Sequence, residues 1–397
     1  MTFAPLRLKR NEDRRLRAGH VWVYSNEVDT AATPLTEFEP GQAAVIQDHA
    51  GRALGCGYVN PHTLICARLV SRDSAQPLNQ SLLVHRLNVC RGLREKLFRQ
   101  PYYRLAFSDS DGLPGLVVDR YGNVVVAQIT TAGMERLREE VVAAIDKVLH
   151  PRAIVLRNDS ASREVEGLGS YVEIPLGEMP DRVLIEENGM RFEAPVVEGQ
   201  KTGWFYDQRM NRARLPDYVK GAAVLDLFSY TGAWGVQAAA AGAASVLCVD
   251  SSARAVDWIR GNAAMNGVED RLSVLNDDAF ETLRRLRAER RHFDVVIVDP
   301  PAFIKRKKDA KEGMRAYHRL NQMAMQVLAK DAILVSASCS YHLARSDLQQ
   351  ILLQSSRHLD RFLQLVEQGG QGPDHPVHPA IPETGYLKVF FSRILPS

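Results

Sequence analysis

The sequence predicts an α/β fold of the doubly wound kind, preceded by a small β-rich unit and a middle α+β unit. Three observations carry this prediction. Residues 222–235 read Ala-Ala-Val-Leu-Asp-Leu-Phe-Ser-Tyr-Thr-Gly-Ala-Trp-Gly, an apolar run ending at Asp226 and a turn over Ser229, Tyr230, Thr231 and Gly232. The Ala-rich segment 236–244 follows with good helix propensity. Apolar runs and helical segments then keep alternating to the C-terminal end. Finally, Asp226, Asp250, Asp278, Asp299 and Cys339 each stand at or just past the end of such a run. That is the sheet edge at which open α/β folds bind ligands, and five polar groups there are hard to explain as packing.

The first βαβ unit is not a dinucleotide fingerprint. Gly-x-Gly-x-x-Gly needs its first glycine near Ser229 or Tyr230, and neither is one. A cofactor with a nucleoside but no phosphates fits better, and S-adenosylmethionine is the common one. Any other nucleotide-binding βαβ unit is the plainer reading. The strand 245–249 ends in Asp250, where a carboxylate meets a ribose hydroxyl.

Composition sets the bounds. With 397 residues, 45% of them hydrophobic and 24% charged, the chain is an ordinary globular protein large enough for two or three domains. A net charge of +3 says little about partners, but basic residues cluster near the N-terminus and again at 305–311. No apolar run spans a bilayer and no signal-peptide pattern is present, so no membrane partner is expected. The five cysteines are scattered without a Cys-x-x-Cys. This argues for a reducing cytoplasm and against a disulfide framework or a cysteine-rich zinc site.

In order along the chain, residues 1–72 read as short strands, with 21–24 and 43–47 the clearest and Gly51, Gly55, Gly57 and Pro61 as punctuation. The opening carries Arg7, Lys9, Arg10, Arg14, Arg15 and Arg17. Taken alone such a cluster reads as a plain solvated face; with a nucleic-acid enzyme downstream, a phosphate-backbone contact becomes the better reading. A linker near 77–79 leads to a helix over 81–99, stopped by Pro101. Strands at 103–107, 116–119 and 124–129, a helix over 135–149 and a strand at 153–157 complete the middle unit. Asp109 and Asp111 fall in its turn and read as turn residues rather than catalysts.

Residues 183–197 read as a hairpin about Asn188-Gly189. The stretch 200–209, with Asp207 and Gln208, is too polar and aromatic for a plain linker. Two readings stand for it, a cover over the cofactor edge or a helix entry packed under the sheet. Beyond Asp250 come a helix at 253–266, a strand at 272–275 with Asp278 placed to meet an adenine amine, and a helix at 280–290. A buried strand at 293–298 ends in Asp299-Pro300-Pro301-Ala302-Phe303, and Lys305-Arg306-Lys307-Lys308 follows. A helix at 313–328, a strand at 332–336 before Ser338-Cys339-Ser340, a helix at 343–358 and strands at 361–366 and 386–393 close the chain. His375 and His378 lie in a Pro-rich loop and read as loop residues, since no third metal ligand is evident; no metal site is expected.

An Asp-Pro-Pro loop after a buried strand is what many S-adenosylmethionine enzymes set against a target base. When an exocyclic amine is methylated an aromatic residue usually follows directly, but Ala302 stands there. Cys339, flanked by two serines, points to another chemistry. C5 of a pyrimidine is a poor nucleophile, and a thiolate adding at C6 makes it carbanion-like. A carboxylic acid at Asp299 would hold N3 while charge develops. The plain alternative is an inert, buried cysteine.

On these residues the chain resembles the ribosomal RNA large-subunit methyltransferase I family, bacterial 5-methylcytosine methyltransferases acting on 23S rRNA. The resemblance runs through Leu8-Lys9-Arg10, residues 19–25, residues 110–122, Lys201-Thr202-Gly203 with Asp207-Gln208-Arg209, residues 226–232, Asp299-Pro300-Pro301 and Ser338-Cys339-Ser340. It implies a PUA-like RNA-binding domain over 1–72, a central α+β domain over 73–182 and a class I Rossmann-like methyltransferase domain over 183–397. It further implies Cys339 as nucleophile and Asp299 as base-binding acid. The cofactor site it implies is lined by Asp226, Phe228, Ser229, Tyr230, Thr231, Gly232, Asp250 and Asp278, with Asp207 and Gln208 beside it. Pro300, Pro301, Lys305, Arg306, Arg14 and Arg15 are the expected substrate-binding residues. The expected partner is 23S rRNA or a large-subunit assembly intermediate, with a homodimer left open. A guanine methyltransferase in which Cys339 is incidental, and an RNA-binding assembly factor without turnover, are the competing readings.

Overall fold

The computed structural model describes residues 3–397. The chain divides into two compact units, and the second, Leu184–Ala194 with Asp207–Gly372 and Gly385–Ser397, carries the strand-end residues. The first takes the chain up to Val183 together with Pro195–Tyr206 and Pro373–Thr384.

The first unit holds two sheets with separate hydrophobic cores. In the five-stranded N-terminal sheet, Ala4–Arg7 runs parallel to Gln42–Gln47, and Ala53–Val59, Ile65–Ser71 and Trp22–Tyr24 continue it antiparallel. Gly55 and Gly57 do not punctuate, as the sequence suggests; both lie inside the strand Ala53–Val59. The backbone of the next strand explains them, because a Cβ at Gly57 would overlap the Arg68 carbonyl. In the middle sheet the helix Gln80–Leu97 starts where the Asn79 side chain accepts from the Leu82 N–H. The expected helix over 135–149 divides into Ala132–Glu135 and Arg138–Leu149. A strand the sequence reading lacks, Tyr171–Gly177, pairs antiparallel with Ala153–Asn158 as the outer member, which is why it tolerates Pro175. Asp111 accepts two bonds from Arg94, at 2.9 and 2.6 Å, and Asp109 accepts from the Trp22 indole at 2.9 Å, so both are structural.

The second unit is built on seven strands: β1 (Ala223–Leu227), β2 (Ser245–Asp250), β3 (Leu272–Asn276), β4 (Phe293–Val298), β5 (Leu328–Ser338), β6 (Arg361–Gly369) and β7 (Lys388–Pro396). Their spatial order is β3-β2-β1-β4-β5-β7-β6. The first five run parallel and β7 runs antiparallel to both β5 and β6. Its longer helices are α1 (Ala233–Ala240), α2 (Ala253–Met265), α3 (Ala279–Ala288), α4 (Ala310–Gln326) and α5 (Arg345–Arg357). Strands such as Val-Val-Ile-Val in β4 are apolar throughout because helices cover both faces of a parallel sheet. Leu225, Val296, Leu334, Leu352 and Phe390 lie in the core between sheet and helices. The strand expected at 332–336 is longer, because β5 begins at Leu328 directly after α4. The predicted Asn-Gly hairpin is present as Leu184–Glu187 and Met190–Glu193, with Asn188 at φ +52°.

Candidate active site

Adjacent parallel strands place the loops after β1, β2, β4 and β5 along one edge. Leu227 lies opposite Val249 on one side and Val298 on the other, and Val298 lies opposite Ser336. Asp226, Asp250, Asp299 and Cys339 therefore share the carboxyl edge of one sheet.

The loop after β1 is tightly made. The Ser229 hydroxyl donates to the Asp226 carbonyl at 2.8 Å and accepts from the Val249 N–H at 3.0 Å, clamping the loop to β2. The Tyr230 N–H donates to Asp250 Oδ2 at 2.9 Å. Phe228 and Tyr230 adopt left-handed backbone, with φ +62° and +51°. For non-glycine residues this costs on the order of 1 kcal/mol each and persists where a site constrains it. Asp226 is fully buried. Its Oδ2 accepts from the Gly235 N–H at 3.1 Å, and Oδ1 has no hydrogen-bond partner. Burial pushes this carboxyl up to about 7. Gly235 has to be glycine, because a Cβ there would overlap the Cys248 sulfur.

Asp299 sits half-buried at the end of β4. The Gln208 amide donates to both its oxygens, at 2.9 and 3.0 Å, and the Trp234 indole N–H donates to Oδ2 at 3.1 Å. Desolvation raises this carboxyl to about 6 against those donors, which favour the charged form. The Gln208 carbonyl accepts from Asn211, so the amide faces Asp299. Gln208, expected beside the cofactor, thus bonds to Asp299. Trp234 carries no local signal of this role, since it reads as one apolar position of a helix.

Cys339 is partly exposed, between buried Ser338 and Ser340. The Tyr317 hydroxyl, reaching from α4, gathers the segment. It accepts from Ser338 Oγ at 2.9 Å, lies 2.8 Å from Ser340 Oγ, and meets the Phe303 N–H at 3.4 Å. Ser340 Oγ in turn accepts from the Ile304 N–H at 3.2 Å. One phenol and one serine therefore tie the Cys339 segment to the loop that follows Asp299-Pro300-Pro301. Lys388, opposite Ser338 in the β5–β7 register, donates to the Ser340 carbonyl at 2.5 Å and the Tyr386 carbonyl at 2.7 Å. Sequence reasoning missed Tyr317 and Lys388. Tyr317 lies 21 and 23 residues from its two serines and Lys388 lies 48 from Ser340, and no motif marks either.

The remaining expected residues fall as follows. Asp250 holds the loop, with Oδ1 accepting from the Ser252 N–H at 2.9 Å. Asp278 caps α3, its Oδ1 accepting from the N–H groups of Phe280 and Glu281 at 2.9 and 3.1 Å. Asp207 accepts from the Tyr386 hydroxyl at 2.5 Å. Thr231 accepts from Asn262 through its carbonyl at 2.9 Å. Lys305 and Arg306 are exposed, with Arg306 3.1 Å from Asp309. In the first unit Arg14 is exposed, whereas Arg15 is held by Glu27 and lies over the Tyr24 ring at 4.7 Å. His375 is buried in that unit and bonded to Asp374 at 2.9 Å. Among the described residues no cluster of metal-ligating side chains occurs and no helix is long and apolar enough to cross a membrane.

Residues 6–72 match the model of a PUA-like domain. Residues 162–387, more than half of the chain, match that of the S-adenosylmethionine-dependent methyltransferases. The ribosomal RNA large subunit methyltransferase I of Shewanella denitrificans is 37% identical over 395 residues, covering 98% of this chain and 99% of the relative. The chain belongs to the ribosomal RNA large subunit methyltransferase I family. The family member of Pseudoalteromonas atlantica is 33% identical, with 96% of this chain and 97% of its own covered. Among solved structures, SMU.776, a putative methyltransferase complexed with SAH, superposes with a TM-score of 0.83 at 22% identity over 98% of this chain and all of its own. The methyltransferase fold is thereby shown, and S-adenosylmethionine is the cofactor of the family. The residues fit it: a loop held in strained backbone, a buried carboxylate oxygen of Asp226 with no protein partner, and Asp250 at the end of the neighbouring strand.

Proposed function

We propose that the chain methylates C5 of a cytosine in 23S rRNA, in the cytoplasm, on naked RNA or a large-subunit assembly intermediate. The observation that carries this reading is Cys339, a partly exposed thiol one strand away from the half-buried acid Asp299. Asp226, Asp250, Asp278 and the loop 228–232 would hold the cofactor, which supplies an electrophilic methyl group when bound. Asp207 and the Gln208 amide would close that edge.

The chain's own residues do the rest. The Cys339 thiolate forms a bond to C6, and the displaced electron pair makes C5 nucleophilic. Asp299, raised to about 6, offers a proton to N3 and stabilises charge there as the adduct forms. After methylation the C5 proton leaves to a base, the electron pair reforms the C5–C6 double bond, the Sγ–C6 bond breaks and the N3 proton returns to Asp299. The target base is flipped out, because a stacked base does not present C6 to a thiol. Pro300 and Pro301 would line its pocket, while Lys305, Arg306 and the exposed Arg14 meet phosphates; Arg15 contributes less, being held by Glu27. The functional division is 1–72 for RNA binding, 73–182 as the central domain and 183–397 for chemistry.

The test compares wild type with Cys339→Ala on unmodified 23S rRNA, with nucleoside mass spectrometry as the readout. Wild type is expected to make 5-methylcytosine and the variant none, while both bind cofactor. An active variant, or a methylated guanine as product, makes Cys339 incidental. RNA binding without turnover by either protein supports an assembly factor.

A further inference from the structure

We propose that Lys388 is a positioning residue for Cys339, its ammonium group serving as the counter-charge that holds the thiol as thiolate. The inference rests on the reading of Cys339 as nucleophile. Lys388 begins β7 and lies directly opposite Ser338, so the antiparallel register brings it to the end of β5 where Cys339 follows. The side chain is buried, and both its hydrogen-bond acceptors are neutral carbonyls, one of them belonging to Ser340. A buried ammonium without a carboxylate bonded to it is costly, so its charge requires a partner nearby.

The surrounding groups leave one. From α4 comes Tyr317, whose phenol is pushed up by burial and stays neutral. From α5 come Arg345, which opposes the lysine's charge, and Asp347, which favours it but accepts from the Ala344 N–H. Tyr341 and His342 meet edge to face in the loop after Ser340, and Asp207 is engaged by the Tyr386 hydroxyl. Burial lowers Lys388 to about 8, and Cys339 is the strongest influence in the opposite direction. Attraction between two groups is mutual, so the same interaction that favours the ammonium favours the thiolate. In the step itself the thiol releases its proton to solvent and Lys388 keeps its three. When the thiolate adds at C6 its charge moves onto the base, and it returns to sulfur on elimination. The thiolate is the reactive form, so this pairing sets how much nucleophile is present at neutral pH.

Iodoacetamide alkylation of the full-length protein, resolved by peptide mass spectrometry between pH 5.5 and 9.5, tests this directly. Cys56, Cys66, Cys90 and Cys248 are buried and their thiols are raised by burial, so the fast reaction belongs to Cys339. Lys388→Met is expected to slow Cys339 alkylation at pH 7 by about tenfold and to move its midpoint up by about one pH unit. Lys388→Gln keeps donors for the two carbonyls without charge and is expected to behave like Lys388→Met, which separates charge from hydrogen bonding. Lys388→Arg is expected to keep the midpoint low. Thermal melting and cofactor binding report whether each variant folds. A Lys388→Gln profile that superposes on wild type overturns the pairing. If wild type makes no 5-methylcytosine while alkylation still depends on Lys388, the cytosine reading falls and the pairing stands.

Discussion

A carboxyl group sealed at the end of β1 makes the second unit sensitive to pH. Asp226 is raised from 3.8 to about 7, so the folded protein keeps a proton that the unfolded chain releases. The stability this confers is complete below about pH 4 and is lost as pH rises through about 7. Asp226→Asn cannot lose that proton. Without cofactor, its melting temperature is expected to hold between pH 4 and 8 where that of wild type falls, by the equivalent of roughly 2–4 kcal/mol. Thermal scans across that range check it, and parallel curves would sink the assignment. The same variant is expected to lose cofactor affinity. That Asp226 is a strand-end acid is legible in Val-Leu-Asp-Leu; that its Oδ1 has no protein partner is not, because this depends on what α1 and β2 bring beside it.

Among the elements, α4 has a role that its sequence conceals. It presents Tyr317 to Ser338, Ser340 and the backbone after the Pro-Pro loop, so one hydroxyl coordinates two loops. Tyr317→Phe leaves buried serines short of a partner and is expected to cost about 1–3 kcal/mol. Its activity should fall further than its stability explains, because Cys339 lies between those serines. Denaturant unfolding beside turnover at a temperature where both proteins are folded checks this; activity that tracks the folded fraction alone would refute it. Helix periodicity places Tyr317 on the buried face, but no pattern within 310–326 says which loops that face meets. The case of Gly55 and Gly57 is similar. Glycine usually signals a turn, and here it permits close approach of a neighbouring strand instead.

Across the whole molecule, a net charge of +3 hides an uneven distribution. Lys305, Arg306, Lys307 and Lys308 form an exposed run just past the Asp299 loop. Replacing all four by glutamate is expected to weaken binding to an rRNA fragment. It should also flatten the dependence of log K on log salt by about 2–3, at roughly 0.7 for each single-strand phosphate that is no longer neutralised. Filter binding from 50 to 300 mM salt measures it, and unchanged affinity and slope would remove this loop from the RNA-binding surface.

Local sequence by itself determined the alternation of strands and helices in the main sheet of the second unit, the doubly wound α/β class and the residues at the strand ends. Periodicity, turn chemistry and apolar runs are properties of neighbours in the chain. Tertiary structure alone decided what surrounds those residues. Gln208 and Trp234 come to Asp299, Tyr317 and Lys388 come to the Cys339 segment, and 195–206 and 373–384 join the first unit despite lying among residues of the second. Each of these depends on strand order, register and side-chain burial over tens to hundreds of residues. Those distances are set by packing, and no motif of a few residues encodes them.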